Sequence, residues 1–301
     1  MISVLMLTYN RENLVRRAIE SILAQTYKKF EFIIVDNGSS DKSGDIADEY
    51  TEKDERIQVI HRERSTISAG RNTALEAARG DYIAFIDDDD WTEPDYLEFL
   101  LNLITENDAD MSICGAADKA FDEKLVMDAE QALIELMWRK KYNVGFPTKM
   151  IKRSLMDDLR FPEDARYDDI SLMHRLIAKA VRIAYHGLPK YNICRHENNN
   201  SAWTTNHSLL DAKTLDEYLG SYHARTEWLS ERFPNSALTF RYFEWSFMIS
   251  MIEKIDRLEI KGCEKQLQYM IKELSEHCKE FLGCHEIMDF ESEWVKKYIK
   301  T

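Results

Sequence analysis

Long apolar runs alternate with amphipathic stretches along the first 117 residues of the chain. The runs at residues 2–9 and 30–36 have the apolar character of strands that are buried on both faces. Further strands are predicted at residues 56–62, 81–87 and 109–117, which makes five. Because strand and helix alternate four times, the pattern predicts an α/β fold with a mostly parallel sheet, right-handed crossovers and helices on both faces.

The stretches between these strands carry apolar residues at the spacing of an amphipathic helix. The first such helix covers about residues 11–25, and Asn10 is expected to cap it. A later helix is expected to begin at a Ser68 cap and to end at Gly80, and another covers about residues 93–106. These helices supply the crossovers that parallel strands need.

The pattern changes after residue 117. Helices are predicted at residues 128–139 and 167–180, and the segments "VRIAYH" and "PKYNICRH" indicate short strands. Beyond Thr205, apolar and aromatic residues keep a helical spacing to the end of the chain. We therefore expect two domains, residues 1–205 and a helical extension at 206–301.

Polar residues follow three of the predicted strands at the point where each strand ends. Thr8 and Tyr9 end the first strand, Asp36 ends the second, and four consecutive aspartates at 87–90 end the fourth. In open α/β sheets, ligands bind beyond the carboxyl ends of the strands. The sequence therefore predicts a ligand site at this edge. The alternative for the aspartates is a solvated acidic turn that caps the next helix.

Composition narrows the class of protein. The net charge is −14, from 40 basic and 54 acidic residues, which argues against a nucleic-acid binder. Five scattered cysteines argue against a disulfide framework and for a reducing, cytoplasmic location. No apolar run reaches the length of a membrane span, so we expect no span, with peripheral association at the cytoplasmic membrane face as an alternative.

Several sequence blocks occur in an order that resembles glycosyltransferase family 2, whose members have the GT-A fold. They are the opening strand and helix with "QTY", then "SAGRNTALEAARGDYIAFIDDDDW", "TKMIKRSL", "RFPEDARYDDISLMHRL" and "YNICRHENNNS". The resemblance covers residues 2–205. It implies that residues 1–117 bind a nucleotide sugar, that residues 118–205 form the acceptor side, and that the enzyme inverts the anomeric configuration.

The resemblance also implies roles for the aspartates. Asp87-Asp88-Asp89 matches the family's Asp-x-Asp motif, in which the flanking carboxylates bind a Mg²⁺ or Mn²⁺ ion together with the donor diphosphate. Asp87 is expected to contact the ribose or the ion, and Asp89 to ligate the ion. Asp88 stands where the family often has a small residue, and it adds negative charge at the nucleotide site.

Other residues are expected to bind the donor. Asp36 would accept the uracil N3–H, although an Asx turn with the following "NGSS" is compatible with the same position. Thr8 and Tyr9 would hold the base, or would simply pack at a strand end. Arg71 would pair with a phosphate, the alternative being a surface ion pair with Glu76.

The acceptor side has its own candidates. Asp168-Asp169 resembles the family's Glu-Asp pair, with Asp169 assigned as the base that takes the acceptor proton, although the shorter Asp168 leaves open which acid faces the acceptor. Two acids at a helix N-terminus also stabilise the helix dipole, which is the structural alternative. His196 matches a block in which relatives use a metal-proximal histidine, and it equally fits a loop histidine without a ligand.

The sequence therefore predicts an inverting, metal-dependent glycosyltransferase, of the hexosyl- or N-acetylhexosaminyltransferase class. Its donor would be a nucleotide-diphosphate sugar, with UDP expected, and its acceptor a carbohydrate or a lipid-linked glycan. Surface polysaccharide or glycan assembly is the expected role, and the C-terminal helices are a candidate surface for self-association. The alternatives are a nucleotidyltransferase of similar sheet architecture and a non-catalytic nucleotide-sugar-binding scaffold.

Overall fold

The computed structural model describes residues 1–117, 121–165, 167–196, 202–204 and 206–299. The chain divides into two compact units, Met1–Cys194 and Arg195–Thr301. This division precedes the predicted domain boundary at Thr205, a residue outside the described part of the chain. The division into a catalytic domain at residues 1–205 and a helical extension at 206–301 stays a prediction.

One mixed sheet organises the first unit. Its strands are β1 (Ile2–Thr8), β2 (Phe30–Asp36), β3 (Ile57–His61), β4 (Tyr82–Asp87), β5 (Trp91–Thr92), β6 (Met111–Ala116), β7 (Lys124–Met127), β8 (Lys149–Lys152) and β9 (Ile183–Asn192). They lie in the order β3-β2-β1-β4-β8-β6-β9-β5, and β7 also pairs with β9. The β3-β2-β1-β4 part is parallel, as predicted, and so is the β6–β9 pair. Strand β8 runs antiparallel to both of its neighbours.

Helices cover both faces of this sheet. They are α1 (Val15–Leu23), α2 (Ser43–Thr51), α3 (Ile67–Ala77), α4 (Tyr96–Asn107), α5 (Ala129–Trp138) and α6 (Asp168–Lys179). Ile2, Val4 and Met6 point to one face of β1 and share a core with α1, α2 and α4. Helix α3 lies on the opposite face. Gly70 of α3 lies so close to the Leu7 side chain that a Cβ at position 70 would collide with it, so only glycine fits there.

Three local predictions were wrong. Thr66, rather than Ser68, caps α3 and accepts a hydrogen bond from the Ala69 N–H, because the helix begins one residue after Thr66. Asn10 does not cap α1, which begins at Val15; it has a left-handed φ of 51° and its side chain accepts from the Ser40 N–H at 2.8 Å. The two short strands expected near the end of this unit form the single strand β9, which is irregular beside Gly115.

The second unit is helical, as predicted. Its helices are α7 (Ala212–Arg232), α8 (Ala237–Arg257), α9 (Glu264–Glu276), α10 (Cys278–Leu282) and α11 (Asp289–Tyr298). Its core is rich in aromatic side chains, including Tyr242 and Trp245, whose rings both contact the ring of Phe281. Within the residues described, none of the helices combines the length and the apolar character that crossing a bilayer requires.

Candidate active site

Three parallel strands bring their carboxyl ends side by side. Thr8 of β1 lies opposite Asp36 of β2, and Leu7 of β1 lies opposite Asp87 of β4. Thr8 and Asp36 are buried, whereas 45% of the Asp87 side chain is exposed. The polar strand ends therefore share one edge of the sheet, where an α/β fold binds its ligand.

The aspartate run turns from β4 toward the loop that follows β1. The Asp88 carboxylate accepts a hydrogen bond from the Tyr9 N–H at 3.1 Å. Arg11 places its Nε 3.6 Å from Asp88 and 4.0 Å from Asp89. Arg17 donates to the backbone carbonyl of Asp89 at 2.6 Å. Arg11 therefore faces two carboxylates at once and balances only part of their charge.

Crowding disfavours the ionised forms of these carboxylates. Burial and the charge of Asp89 raise the pKa of Asp88 to about 8. Partial burial raises the pKa of Asp87 to about 6, with Arg71 opposing the shift and Asp89 adding to it. A cation placed among these oxygens would favour their ionised forms.

The Asp90 carboxylate is buried, and both of its oxygens accept hydrogen bonds from the protein. It accepts a hydrogen bond from the Tyr191 hydroxyl and another from the Cys194 N–H, both at 2.7 Å. The Tyr191 oxygen in turn accepts from the Asp87 N–H at 3.1 Å. Asp90 thus fastens the aspartate loop to the end of β9, which is a structural role.

Arg71 links the strand edge to the acids at the start of α6. Its guanidinium donates to Asp168 at 2.8 Å and lies 3.5 Å from Asp87. The rings of Phe146 and Phe161 lie about 6 Å from the guanidinium carbon and shield it from water. The alternative of a surface pair with Glu76 is therefore wrong, since 18% of the Arg71 side chain is exposed and its ion partners are Asp168 and Asp87.

The two acids of α6 have different surroundings. Asp168 is buried, with one oxygen bound to Arg71 and the other without a hydrogen-bond partner among the residues that the structure describes. Asp169 is half-buried and accepts a hydrogen bond from the Ile170 N–H at 2.8 Å. Burial and the neighbouring Asp168 charge raise the pKa of Asp169 above its ordinary value. Asp169 is thus the more accessible acid of the pair, and its raised pKa suits a base.

The residues predicted to hold the base lie on the β1 and β2 side of the edge. One Asp36 oxygen accepts from the Ser39 N–H at 3.1 Å, three residues on rather than the two of an Asx turn, and the other lies 3.1 Å from His61 Nδ1. The guanidinium of Arg64 lies 3.6 Å from the centre of the Tyr9 ring. The Tyr9 ring is therefore already in a stacking arrangement with a planar cation.

Two further predictions concern metal binding. Within the described ranges, no three or more His, Cys, Asp or Glu side chains are grouped so as to hold a metal ion by themselves. His196 belongs to the second unit, whereas the aspartates belong to the first, and residues 197–201 of its sequence block lie outside the described residues. The predicted His196 contact with the metal stays a prediction.

Sequence reasoning missed three residues that hold the site together. Asn72 donates to the carbonyl of Phe161 at 3.0 Å and accepts from its N–H at 2.9 Å, which ties the segment before Asp168 to α3. Gln25 is fully buried and donates to the Thr92 hydroxyl, which fixes α1 against the strand after the aspartates. Arg11 could have been predicted from the sequence, because it follows the first strand and a cation there can pair with the acidic strand ends.

Comparison with known proteins identifies the family. The model of glycosyl transferase family 2 matches residues 3–181. EpsH of Bacillus subtilis, named as a glycosyltransferase, is 45% identical over 131 residues, which are 44% of this chain and 38% of EpsH. For a second curated relative the match covers 49% of its length, so the chain spans less than half of these proteins.

Solved structures share the fold at low sequence identity. Staphylococcus aureus TarS 1–349, in complex with UDP-GlcNAc, has a TM-score of 0.69 and 19% identity, with coverage of 93% of this chain and 81% of that chain. The mannosyltransferase PcManGT of Pyrobaculum calidifontis, in complex with GDP-Man and Mn²⁺, has a TM-score of 0.57 and 15% identity, with coverage of 98% and 83%. These likenesses confirm the predicted GT-A fold. Because the family model matches more than half of the residues, the chain belongs to glycosyl transferase family 2.

Proposed function

We propose that this protein transfers a sugar from a nucleotide-diphosphate donor to a hydroxyl acceptor. The observation that carries the proposal is the single connected cluster in which Arg71 lies between the strand-end carboxylate Asp87 and the helix acid Asp168. Donor-side and acceptor-side groups must lie this close for a group to pass from one to the other. Membership of family 2 supports this reaction over a nucleotidyltransfer.

The donor set at the aspartate edge fits a hard divalent cation. It consists of carboxylate oxygens, which suit Mg²⁺ and Mn²⁺ better than the nitrogen and sulfur ligands that zinc prefers. Magnesium is commonly bound by one or two carboxylates together with substrate phosphates, so a group of three protein ligands is not needed. Asp87 and Asp89 would hold the ion, and the raised pKa values of Asp87 and Asp88 fit a site that gains from positive charge. When bound, the ion would neutralise charge on the leaving diphosphate.

The residues on the β1 and β2 side are proposed to bind the nucleoside. The Tyr9 ring, now covered by the Arg64 guanidinium, offers a flat face for a base, and Asp36 lies beside it in the neighbouring strand as an acceptor. Uracil is the proposed base, and the TarS complexes with UDP and UDP-GlcNAc support it. Arg71 would add a positive charge for a phosphate, although it already faces two carboxylates.

Asp169 is the proposed general base. Arg71 occupies one oxygen of the buried Asp168 in an ion pair, whereas Asp169 is half-buried and its pKa is raised by burial and by the neighbouring Asp168 charge. Asp169 would take the proton of the acceptor hydroxyl while that oxygen forms a bond to the anomeric carbon and the bond to the diphosphate breaks. Direct displacement inverts the anomeric centre and needs no covalent intermediate. Assembly of a surface glycan is the proposed setting.

A thermal-shift panel would test this function. UDP-GlcNAc, UDP-glucose, GDP-mannose and free UDP should be compared with and without Mn²⁺, because a ligand at 100 times its Kd adds about 2.7 kcal/mol of stability. We expect a UDP compound with Mn²⁺ to raise the Tm more than either component alone. If no nucleotide sugar stabilises the protein with the ion present, the proposed donor site does not exist.

A further inference from the structure

A histidine at the end of β3 contacts the acid that is proposed to bind the base. His61 is the last residue of β3, and it lies opposite Asp36 in the parallel register of β2 and β3. Residues that lie opposite each other on neighbouring strands point to the same face of the sheet. The ring therefore reaches the carboxylate, and His61 Nδ1 lies 3.1 Å from Asp36 Oδ2.

A second acid faces the other side of the same ring. His61 Nε2 lies 3.0 Å from Oδ1 of Asp48, a residue of α2. An ionised carboxylate only accepts hydrogen bonds, so each ring nitrogen that faces one must carry a proton to bond to it. The His61 ring in this arrangement is thus an imidazolium that donates to both acids. Its hydrogen bonds with Asp48 and Asp36 raise the pKa of His61, although partial burial opposes the shift.

The two acids differ in exposure, and this difference shows which of them depends on His61. The Asp36 side chain is 9% exposed and the Asp48 side chain is 52% exposed. A buried carboxylate without donors is costly, whereas an exposed one can bond to water. Asp36 must therefore take its donors from the protein. His61 supplies a donor to one of its oxygens, and the Ser39 N–H supplies a donor to the other.

Close packing of α2 restricts the Asp36 carboxylate further. Gly44 lies in the first turn of α2, and a Cβ added there would lie 2.8 Å from Asp36 Oδ2 and 3.2 Å from His61 Cε1. With a donor on each oxygen and a helix against one side, the carboxylate has little freedom to turn. Each oxygen keeps a second lone pair, because an ionised carboxylate has about four acceptor sites.

These contacts select the kind of base that Asp36 can recognise. An ionised carboxylate whose oxygens are both held as acceptors can accept an N–H from a base, but it has no hydrogen to donate. Uracil carries an N–H at N3, whereas cytosine has a bare acceptor nitrogen at the same position. A site built to bond an N–H rejects an analogue that lacks it. The arrangement therefore favours uracil over cytosine.

We propose that His61 sets the base selectivity of the donor site, because it holds the Asp36 carboxylate in the ionised form and the orientation that accept the uracil N3–H. His61 acts through Asp36, so it is a positioning residue rather than a catalytic one. This inference rests on the proposed nucleotide donor, and it adds the residue that makes the base contact selective.

Calorimetric titration of UDP and of CDP into the full chain, with Mn²⁺ present, tests this role. The two nucleotides have the same ribose and diphosphate, so the Kd for CDP divided by the Kd for UDP reports the base contact alone. We call this quotient the base-selectivity ratio. We expect a ratio of about 10 or more in the unmodified protein, the equivalent of one charge-assisted hydrogen bond. Asp36→Ala removes the acceptor and should bring the ratio close to 1.

Two amide substitutions separate the two hydrogen bonds of the ring. Asparagine can place its amide nitrogen near the position of His61 Nδ1, so His61→Asn keeps a donor for Asp36 and loses the donor for Asp48. Glutamine is longer and can place its nitrogen near the position of Nε2, so His61→Gln does the reverse. We expect His61→Gln to lower the base-selectivity ratio about fivefold and His61→Asn to keep it within about twofold. Asp48→Asn is the matched control and should also keep the ratio.

A second route to the same test does not alter His61. Gly44→Ala crowds the pair of His61 and Asp36 from the side of α2, so it should lower the base-selectivity ratio while both nucleotides still bind. This variant decides the question if His61→Gln does not fold, which its Tm without ligand would show. An unchanged ratio in folded Gly44→Ala would then contradict the role of His61.

The outcomes separate this role from the proposed donor site. The role of His61 is refuted if folded His61→Gln keeps the full ratio, or if His61→Asn loses it to the same extent. Equal weakening of UDP and CDP would also refute it, because a purely structural residue affects both nucleotides alike. If the unmodified protein binds UDP and CDP without preference, the donor site stands and the role of His61 falls. If it binds neither nucleotide, the proposed donor site itself is wrong, and the role of His61 with it.

Discussion

The two ends of the parallel sheet both carry buried carboxylates, but the two sets have opposite surroundings. At the amino end, the Glu31 carboxylate accepts hydrogen bonds from the Ser3 hydroxyl, the Arg79 N–H and the Gly80 N–H. The Arg79 guanidinium adds a charged donor at 2.9 Å. Burial alone would raise the pKa of Glu31, but these donors outweigh it and the pKa is lowered.

At the carboxyl end, acids outnumber donors. Asp88 receives one backbone hydrogen bond and faces one guanidinium at 3.6 Å, which that guanidinium also shares with Asp89. Burial and the Asp89 charge raise the pKa of Asp88 to about 8. The fold therefore surrounds Glu31 at the amino end with donors, whereas Asp88 at the carboxyl end has too few donors to offset its burial and the Asp89 charge.

This difference separates a structural carboxylate from the proposed ligand carboxylates. Groups that the protein satisfies by itself stabilise the fold, whereas groups held in an unfavourable state cluster at ligand sites. Glu31 closes the turn after α3 onto β1 and β2. For Asp87 and Asp88, whose pKa values are raised, the proposed cation would supply further positive charge. Changes at the two ends should therefore differ in which property they affect and in the sign of the effect.

The largest effect is expected from Asp89→Asn. The substitution preserves the shape but removes a proposed ligand charge, so transfer should fall below detection and Mn²⁺ should no longer enhance UDP binding. Transfer assays and thermal shifts with UDP and Mn²⁺ measure both effects. Asp81→Asn is the matched control, because Asp81 precedes the same strand at its opposite end and should leave both properties unchanged. Full metal-dependent UDP binding in Asp89→Asn would contradict the ligand assignment.

The next largest effect is expected from Asp169→Asn. Losing the base should lower kcat by about 10²-fold or more while UDP binding stays intact. In the unmodified enzyme, kcat should fall as the pH drops through the raised pKa of Asp169, because the base must be ionised. This acidic limb therefore lies above the pH at which an ordinary aspartate titrates. Equal losses of UDP binding and turnover in the variant would instead indicate a helix cap.

A third effect concerns stability at the amino end. Glu31→Gln should lower the free energy of unfolding by about 2 kcal/mol, since it weakens charge-assisted hydrogen bonds. Because folding lowers the pKa of Glu31, its contribution is present above the ordinary value of 4.5 and is lost as the pH falls through the folded value. Urea unfolding at several pH values should thus show a difference at pH 7 that shrinks below pH 4.5. A difference independent of pH would mean that packing, rather than charge, is responsible.

The sequence predicted the main strands and the acids at their carboxyl ends, but it did not predict the long-range contacts that give each acid its surroundings. Apolar runs located β1, β2 and β4, and the rule that ligands bind at strand ends located Asp36 and Asp87. The sequence could not predict that Asp90 has a structural role different from that of Asp87 to Asp89. That role depends on a hydrogen bond from Tyr191, which lies far along the chain. Strand β8 is too short to show a period, so its antiparallel insertion could not be foreseen.

The smallest effect should have the opposite sign to that of Glu31→Gln. Asp88→Asn removes a carboxylate whose ionised form the metal-free fold disfavours, so the Tm of the metal-free protein should rise by a few degrees, about 1 kcal/mol. Folding raises the pKa of Asp88 to about 8, so its favourable contribution is present below its ordinary value of 3.8 and is lost as the pH rises through 8. The gain from the variant should therefore grow between pH 4 and pH 8. Saturating Mn²⁺ and UDP should stabilise the unmodified protein more than the variant and so reverse the order. Destabilisation of the metal-free protein by Asp88→Asn at pH 8 would mean that the hydrogen bond from Tyr9 outweighs the repulsion between Asp88 and Asp89. The proposed contrast between the amino and carboxyl ends of the sheet would then be wrong.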